Sequence, residues 1–170
     1  MKRWIIAASV LLMSGCTAMS FDAEPRAVKL PAAESADTAL VLGQAYNDRP
    51  GHWVWMIVRS VDDTETYNYW LDARAPYNFL VPAGTRTLRV ACAFGNFQSS
   101  KQADPKLTSE FLAGQVYQLH GKLYEDSNGD PFVKVWVEHL GSRAQYDSFR
   151  ERYPDEPGGR PLSKRRMFER

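Results

Sequence analysis

Residues 85–94 read TRTLRVACAF and carry the clearest strand signal of the chain. Apolar side chains recur at every second position, and these positions are Leu88, Val90, Cys92 and Phe94. A period of two is typical of a β-strand with one buried face. The preceding Pro82-Ala83-Gly84 favours a tight turn, because Pro presets φ and Gly tolerates a positive φ.

A β-hairpin is predicted further along, where residues 115–124 and 132–140 both alternate apolar with polar side chains. They flank residues 126–131, DSNGDP, and Asn-Gly between two alternating runs is the strongest short hairpin signal. The alternative for this loop is an adventitious cation site. An EF-hand is excluded, because the positions of its required Gly and Glu hold Pro131 and Val137.

About seven strands are predicted in all, without helical periods between them. The other strand-like runs are residues 38–45, 53–61, 67–71 and 77–81. This pattern predicts an all-β fold, a single antiparallel β-sandwich over residues 38–141. Residues 142–153 instead have helical spacing, with Ser142 as N-cap and Pro154 as the stop, which predicts a short C-terminal helix.

The segments on either side of the predicted domain differ from it in composition. Residues 16–37 are rich in Ala, contain two prolines and favour a tether, although a short first strand could begin within them. Residues 154–170 form a Pro/Gly-rich basic tail. Two interpretations of this tail stay open: a solvated tail, or a weak contact with lipopolysaccharide phosphates or other anionic envelope groups.

The first residues, MKRWIIAASVLLMSGC, combine a short basic region, about ten apolar residues and a small-residue cleavage region. That layout is typical of a secretory signal, and the apolar stretch is too short to span a bilayer. Ser14-Gly15-Cys16 resembles the bacterial lipobox, with Met13 where Leu is commonest. The alternatives are an ordinary signal peptide that ends near a Cys, or a buried N-terminal helix.

The lipobox resemblance implies that residues 1–15 are a signal peptide, cleaved between Gly15 and Cys16. Cys16 would then become the first residue and carry the acyl chains, palmitate among them, that anchor the protein in a membrane. Thr17 stands where an inner-membrane retention signal would place Asp, which implies the outer membrane, with the protein facing the periplasm. Acylation of Cys16 also leaves Cys92 without a disulfide partner.

Composition narrows the class of protein further. The chain has 170 residues, which suits one domain, and its 21 basic and 20 acidic residues give a net charge of +1. Loss of Lys2 and Arg3 with the signal peptide would leave 21 − 2 = 19 basic and 20 acidic residues, a net charge of −1. Neither value favours a nucleic-acid partner.

Residues 80–92, LVPAGTRTLRVAC, and residues 111–124, FLAGQVYQLHGKLY, together carry a family resemblance. They resemble small bacterial lipoproteins with PEGA-like domains, whose folds are transthyretin-like or Ig-like sandwiches. The upstream strand ending in Val61-Asp62 fits as well, with Asp63 in place of the usual Gly. The resemblance covers about residues 39–140 and implies an architecture, while it carries over no functional residue.

Catalytic and metal-binding patterns are absent from the sequence. The three histidines, His52, His120 and His139, lack a ligand spacing, and no Ser stands in a Gly-x-Ser-x-Gly elbow. Cys92 reads as a small buried hydrophobe, with a reactive thiol as the alternative. The acids Asp62, Asp63 and Glu65 read as a solvated turn. We therefore predict no enzyme, no metal and no cofactor.

One aromatic cluster is a candidate binding surface, formed by Tyr67, Tyr69, Trp70 and Arg74. Such rings stack on sugars or proteins, but strand alternation would bury some of them, so core packing is the alternative. Trp53, Trp55 and Trp136 are assigned to the core or to a partly buried second sheet face. The sequence thus predicts a non-enzymatic structural or interaction module of the envelope, with an envelope protein or glycan as partner. The alternative is a glycan-binding or glycan-processing accessory lipoprotein.

Overall fold

A computed structural model describes residues 26–27, 37–66, 78–96, 99–154 and 159–168. The described residues form eleven strands and two helices, and the strands come in this order: β1 (Arg26–Ala27), β2 (Thr38–Leu42), β3 (Gln44–Arg49), β4 (His52–Val61), β5 (Thr64–Glu65), β6 (Asn78–Pro82), β7 (Gly84–Asn96), β8 (Ser100–Ala103), β9 (Lys106–Phe111), β10 (Gln115–Glu125) and β11 (Pro131–Ser142). The helices follow, α1 (Arg143–Arg152) and α2 (Lys164–Phe168).

The strands form two sheets. The first sheet has the order β1-β6-β2-β10-β11, and the second has the order β3-β4-β7-β8, with β5 on β4 and β9 on β7. Most neighbours are antiparallel, but β1 runs parallel to β6 and β2 runs parallel to β10. The predicted all-β sandwich with a short C-terminal helix is confirmed, but the first sheet is mixed rather than purely antiparallel, and the described strands are more numerous than the seven runs predicted.

The core lies between the two sheets. Strand β7 contributes the face that its alternation predicted, because Leu88, Val90, Cys92 and Phe94 are all buried. The opposite sheet contributes Val41, Phe79 and Leu119 among others. At Gly121 of β10 the sheets come so close that a Cβ atom would overlap with Met56 Sδ. This close approach explains why the alternating pattern of β10 has a glycine at an inward position.

Chain order links the two sheets through Gly43, which separates β2 in the first sheet from β3 in the second. Two buried glutamines hold this crossover. Gln44 Nε2 donates to the carbonyl oxygen of Leu119 at 2.6 Å, and Gln118 Nε2 donates to the carbonyl oxygens of Leu42 and Gly43. Backbone carbonyls that leave a ladder inside a protein need such partners.

The segment predicted as a tether contains an ordered strand. Arg26 and Ala27 pair with Phe79 and Leu80 of β6, so β1 is an edge strand of the first sheet. Two residues are too few for an alternating pattern, which is why the sequence favoured a linker here. The predicted strand over residues 67–71 lies outside the described residues, and residues 77–81 correspond to β6.

The predicted helix is present as α1, and Ser142 caps it. The Ser142 hydroxyl accepts from the Gln145 backbone N–H, while the Gln145 side chain accepts from the Ser142 backbone N–H, which is a capping box. Phe149 is buried against the outer face of the first sheet. The helix therefore forms a third layer over part of that face.

The basic tail is not a solvated tail where the structure describes it. Residues 159–168, which we call the strap, cross the outer face of the first sheet. The backbone N–H of Ala45 donates to the carbonyl of Gly159, and the backbone N–H of Leu162 donates to Gln118 Oε1. Leu162 and Met167 are buried in the same cluster as Phe149. Two isolated apolar residues among basic ones give no periodic signal, so the sequence did not predict this packing.

Candidate functional site: the outer face of the β10–β11 hairpin

Strands β10 and β11 extend beyond the rest of the first sheet. Pairing of β10 with β2 covers only Val116–Gln118, whereas its pairing with β11 continues to Glu125 and Pro131. The far part of the hairpin is therefore a two-stranded ribbon. Its inward side chains, among them Leu123, Val133, Val135 and Val137, pack on the core.

The outward side chains of this ribbon form three cross-strand pairs. The register places His120 opposite Trp136, Lys122 opposite Lys134, and Tyr124 opposite Phe132. Successive residues of a strand alternate between faces, so all six lie on the outer face. We call this set the hairpin face: His120, Lys122, Tyr124, Phe132, Lys134 and Trp136.

The aromatic rings of the hairpin face are stacked in pairs and open to solvent. The ring centroids of Tyr124 and Phe132 are 5.5 Å apart with planes 19° from parallel, and those of His120 and Trp136 are 5.5 Å apart at 13°. Tyr124 is 37% exposed, Phe132 47% and Trp136 41%. Cross-strand pairs of this kind stabilise a ribbon while leaving the outer ring edges accessible.

Lysine side chains lie between the two ring pairs. Lys122 Nζ is 5.3 Å from the centroid of the Tyr124 ring, within the range of a cation–π contact. The same ring is stacked on Phe132. Side chains on a strand stand roughly perpendicular to the sheet, so the outer end of the Tyr124 side chain, which carries the hydroxyl, points away from the sheet.

His120 connects the hairpin face to the strap. Its Nε2 lies 3.1 Å from Glu138 Oε2, and Glu138 Oε1 accepts a hydrogen bond from the backbone N–H of Lys164 at 2.9 Å. Burial lowers the pKa of His120 below its ordinary value of 6.5, against the opposing influence of the Glu138 carboxylate. The imidazole is therefore neutral at pH 7 and serves as a flat stacking partner for Trp136.

The strap marks one border of the hairpin face. Gln118 is the outward residue of β10 that precedes His120. Its side chain is buried, and its Oε1 accepts a hydrogen bond from the backbone N–H of Leu162. Alternation alone assigns Gln118 and His120 to the same face. The strap covers Gln118, whereas the ring of Trp136, which stacks on His120, stays exposed.

The site residues named from the sequence lie outside the described residues. These are the cleavage and lipidation positions Gly15 and Cys16, and the aromatic cluster Tyr67, Tyr69, Trp70 and Arg74. Of the tryptophans assigned to the core or to a second face, Trp53 and Trp55 are partly buried, and Trp136 belongs to the exposed hairpin face. The signal for Trp136 was present in the alternation of β11, which places it opposite the inward valines.

Two other candidates, the Cys92 thiol and the acidic loop of the hairpin, have structural roles. Cys92 is buried, and burial raises the pKa of its thiol from 9.0 to about 12, with Asp104 adding to the effect. It is thus a packed, protonated side chain, as predicted. Asp126 Oδ1 accepts from the backbone N–H groups of Asn128 and Asp130 and so shapes the hairpin turn. The described residues contain no group of three or more metal-ligating side chains.

The acids of the predicted solvated turn close the β4–β5 hairpin. Asp62 and Asp63 both have positive φ angles, 46° and 63°. Asp62 Oδ1 accepts from the backbone N–H of Thr87 at 2.8 Å, and Asp62 Oδ2 lies 3.1 Å from Arg86 Nη1. Asp62 therefore ties this turn to β7, and its oxygens are occupied by structural contacts.

Within the part of the chain that the structure describes, none of the helices is long and apolar enough to cross a membrane. No family model, curated protein or solved structure matches the chain. The resemblance to PEGA-like lipoproteins therefore stays a prediction, and the two-sheet architecture rests on the structure itself.

Proposed function

We propose that this protein is a bacterial lipoprotein of the outer membrane, facing the periplasm and anchored by an acylated Cys16, and that its β-sandwich is a non-enzymatic interaction module of the envelope. The lipobox resemblance of Ser14-Gly15-Cys16 supports the anchor. The hairpin face supports the interaction role. Its partner would be an envelope component, with no cofactor and no nucleic acid.

The exposed rings of the hairpin face are the observation that carries the interaction role. Five large apolar side chains of the described residues are more than a third exposed, and Tyr124, Phe132 and Trp136 are three of them. They adjoin one another on two paired strands, whereas exposed apolar residues on most surfaces are scattered. Rings and amines in one patch suit recognition, and the patch has no nucleophile paired with a base.

The anchor is tested by the variant Cys16→Ala. We expect it to lose labelling by a radioactive or clickable fatty acid and to accumulate as the uncleaved precursor. The matched control is Cys92→Ala, which removes the other cysteine and should keep both labelling and cleavage. A Cys16→Ala protein that is still labelled and processed would contradict the proposed anchor.

The contact role of the hairpin face is tested with a photoreactive amino acid in cells. Placed at position 132 it is expected to form adducts with an envelope component. Placed at position 101, which is exposed on β8 of the second sheet, it should form none or far fewer. Equal adduct yields at the two positions would contradict the hairpin face as the contact surface.

Glycan binding is the second candidate function, and the exposed aromatic pairs favour it, since rings stack on sugars. A pull-down on peptidoglycan or lipopolysaccharide tests it. Binding that falls with Tyr124→Ala and Trp136→Ala would assign it to the hairpin face, and binding that falls with Tyr69→Ala and Trp70→Ala would assign it to the cluster named from the sequence. Absent binding, or binding that none of these variants changes, removes this candidate.

A further inference from the structure

We infer that the hairpin face docks the domain onto the anionic phospholipid surface of the membrane that holds Cys16. The inference rests on the proposed lipid anchor and adds an orientation to it: the outer side of the first sheet turns toward the bilayer. Three observations carry it, namely the geometry of the rings, the charges around them, and the path by which the chain enters the sheet.

Ring geometry suits a membrane interface. Tyr124 is stacked on Phe132, and Lys122 Nζ lies 5.3 Å from the centroid of the Tyr124 ring, so rings and amines share one surface. The exposed parts are the outer ring edges and the tyrosine hydroxyl. Trp and Tyr placed in this way are the residues that concentrate at membrane interfaces, where their apolar parts enter the headgroup region and their polar tips stay hydrated.

Charge on the hairpin face complements anionic headgroups. Lys122 and Lys134 are both exposed between the ring pairs, and the strap adds an exposed Lys164 beside Glu138. Lysine stems can lie along the apolar boundary while their amines meet the phosphates. The turn of the hairpin is acidic, with Glu125, Asp126 and Asp130 exposed. Because these acids are repelled by an anionic surface, the face of the ribbon approaches the bilayer rather than its tip.

The N-terminal end of β1 points toward the end of the sheet at which the ribbon projects. Strand β2 runs parallel to β10, β6 runs antiparallel to β2, and β1 runs parallel to β6. Strand β1 is therefore antiparallel to β10, so Arg26, the first residue of β1, is on the side toward which β10 carries its turn. Ten residues from Cys16 to Arg26 span at most about 35 Å when fully extended.

The reach of the segment between Cys16 and Arg26 also matches the distance along β10 to the exposed rings. Arg26 is level with Phe79, Val41 and Tyr117 across the sheet. Tyr124 lies seven residues further along β10, which is about 23 Å at the rise of a β-strand. An anchor within about 35 Å of Arg26 can thus lie in the same plane as the exposed rings. The tether then keeps the face close to the bilayer, so that a weak contact suffices for docking.

The test uses the lipidated full chain in vesicles whose acyl chains carry bromine, which quenches nearby tryptophan. In phosphatidylglycerol-containing vesicles, the parent protein should be quenched more than Trp136→Phe, and the difference reports Trp136. The double variant Lys122→Gln, Lys134→Gln should lower the ratio of docked to undocked protein about 25-fold, at roughly fivefold per lysine. The matched double variant Lys101→Gln, Lys106→Gln changes exposed lysines of the second sheet and should leave quenching unchanged.

Flotation of the same vesicles separates the anchor from the docking. Protein that floats without extra quenching of Trp136 keeps the proposed anchor and overturns the docking. If the protein carries no acyl label but Trp136 is still quenched, this result contradicts the proposed anchor and supports the docking. Quenching that is equal in phosphatidylcholine vesicles, or unchanged in the Lys122→Gln, Lys134→Gln variant, overturns the role of charge and with it the inferred surface. Peptidoglycan binding that depends on Trp136, without quenching by the vesicles, overturns it in favour of a glycan.

Discussion

Asp62 and Asp63 show how single residues set a turn in this protein. Both central positions of the β4–β5 hairpin have a positive φ, the geometry of a type I′ turn, for which Asn, Asp and Gly are the suitable residues. The two acids are not equivalent, however. Asp62 accepts hydrogen bonds from β7, whereas Asp63 has a longer 3.4 Å ion pair with Lys106 on the surface.

We expect Asp63→Gly to raise the free energy of unfolding by about 0.5–1 kcal/mol, because glycine adopts a positive φ without steric cost and surface ion pairs contribute little. The control Asp62→Gly relieves the same backbone cost but loses the contacts with Thr87 and Arg86, so it should lower the free energy of unfolding. Urea denaturation at pH 7 measures both. A fall in stability for Asp63→Gly would show that its side chain matters more than its φ angle.

Cys92 gives the molecule a defined response to alkaline pH. Burial raises the pKa of its thiol to about 12 in the folded protein, and the ordinary value of 9.0 applies to the unfolded chain. Above pH 9 the unfolded chain therefore loses a proton that the folded protein keeps. The stabilising effect of the thiol is complete below pH 9 and is lost as pH rises toward 12, at roughly 1.4 kcal/mol per pH unit.

The comparison of the parent protein with Cys92→Ala isolates this effect from other titrating groups. The difference in their free energies of unfolding should shrink by about 2 kcal/mol between pH 7 and roughly pH 10.5. In the folded protein at pH 7, thiol reagents should react with Cys92 only as fast as the protein opens. A difference that stays constant with pH would contradict the raised pKa.

At the scale of elements, the contact between β10 and β4 is set by one residue without a side chain. Gly121 faces Met56 so closely that Gly121→Ala must displace the thioether or separate the sheets. We expect Gly121→Ala to lower the free energy of unfolding by about 1–3 kcal/mol through overpacking. Adding Met56→Ala should make the double variant more stable than the sum of the single losses predicts. If the double variant lost exactly the sum of the two single losses in stability, the strain would not come from the contact between residue 121 and Met56.

Strands whose residues alternate between apolar and polar were predictable from the sequence. Elements held in place by residues far away in the chain were not. The alternation in residues 85–94 and the Asn-Gly turn led directly to β7 and to the β10–β11 hairpin. Strand β1 and the strap left no such pattern, since each depends on a partner far away in the chain: β6 for Arg26, and Gln118 for Leu162. Side chains of β10 and β11 could be assigned to a face, but the sequence could not tell which part of that face the strap would cover.

At the scale of the whole molecule, the first sheet is sandwiched between the second sheet and a partial third layer of α1 and the strap. We expect a chain that ends at residue 158 to lose roughly 3 kcal/mol or more of its free energy of unfolding, because Leu162 and Met167 no longer cover Leu40, Leu42 and Val116. It should also bind a hydrophobic dye. Thermal unfolding measures the loss.

Lys164→Gln is the matched control for this truncation, because it changes an exposed charge of the strap and leaves its buried residues in place. Its stability should stay within about 0.5 kcal/mol of the parent protein. A truncated chain as stable as Lys164→Gln would show that the strap rests on the sheet without stabilising it.

The strap also sets an order of events during synthesis. Every described strand precedes the strap in the chain, so the strands are synthesised before residues 159–168. Until residues 159–168 emerge, Gln118 Oε1 lacks the backbone N–H of Leu162, and the cluster around Leu40 and Leu42 lacks Leu162 and Met167. A nascent chain that lacks the strap therefore has the strands of both sheets but not its final packing.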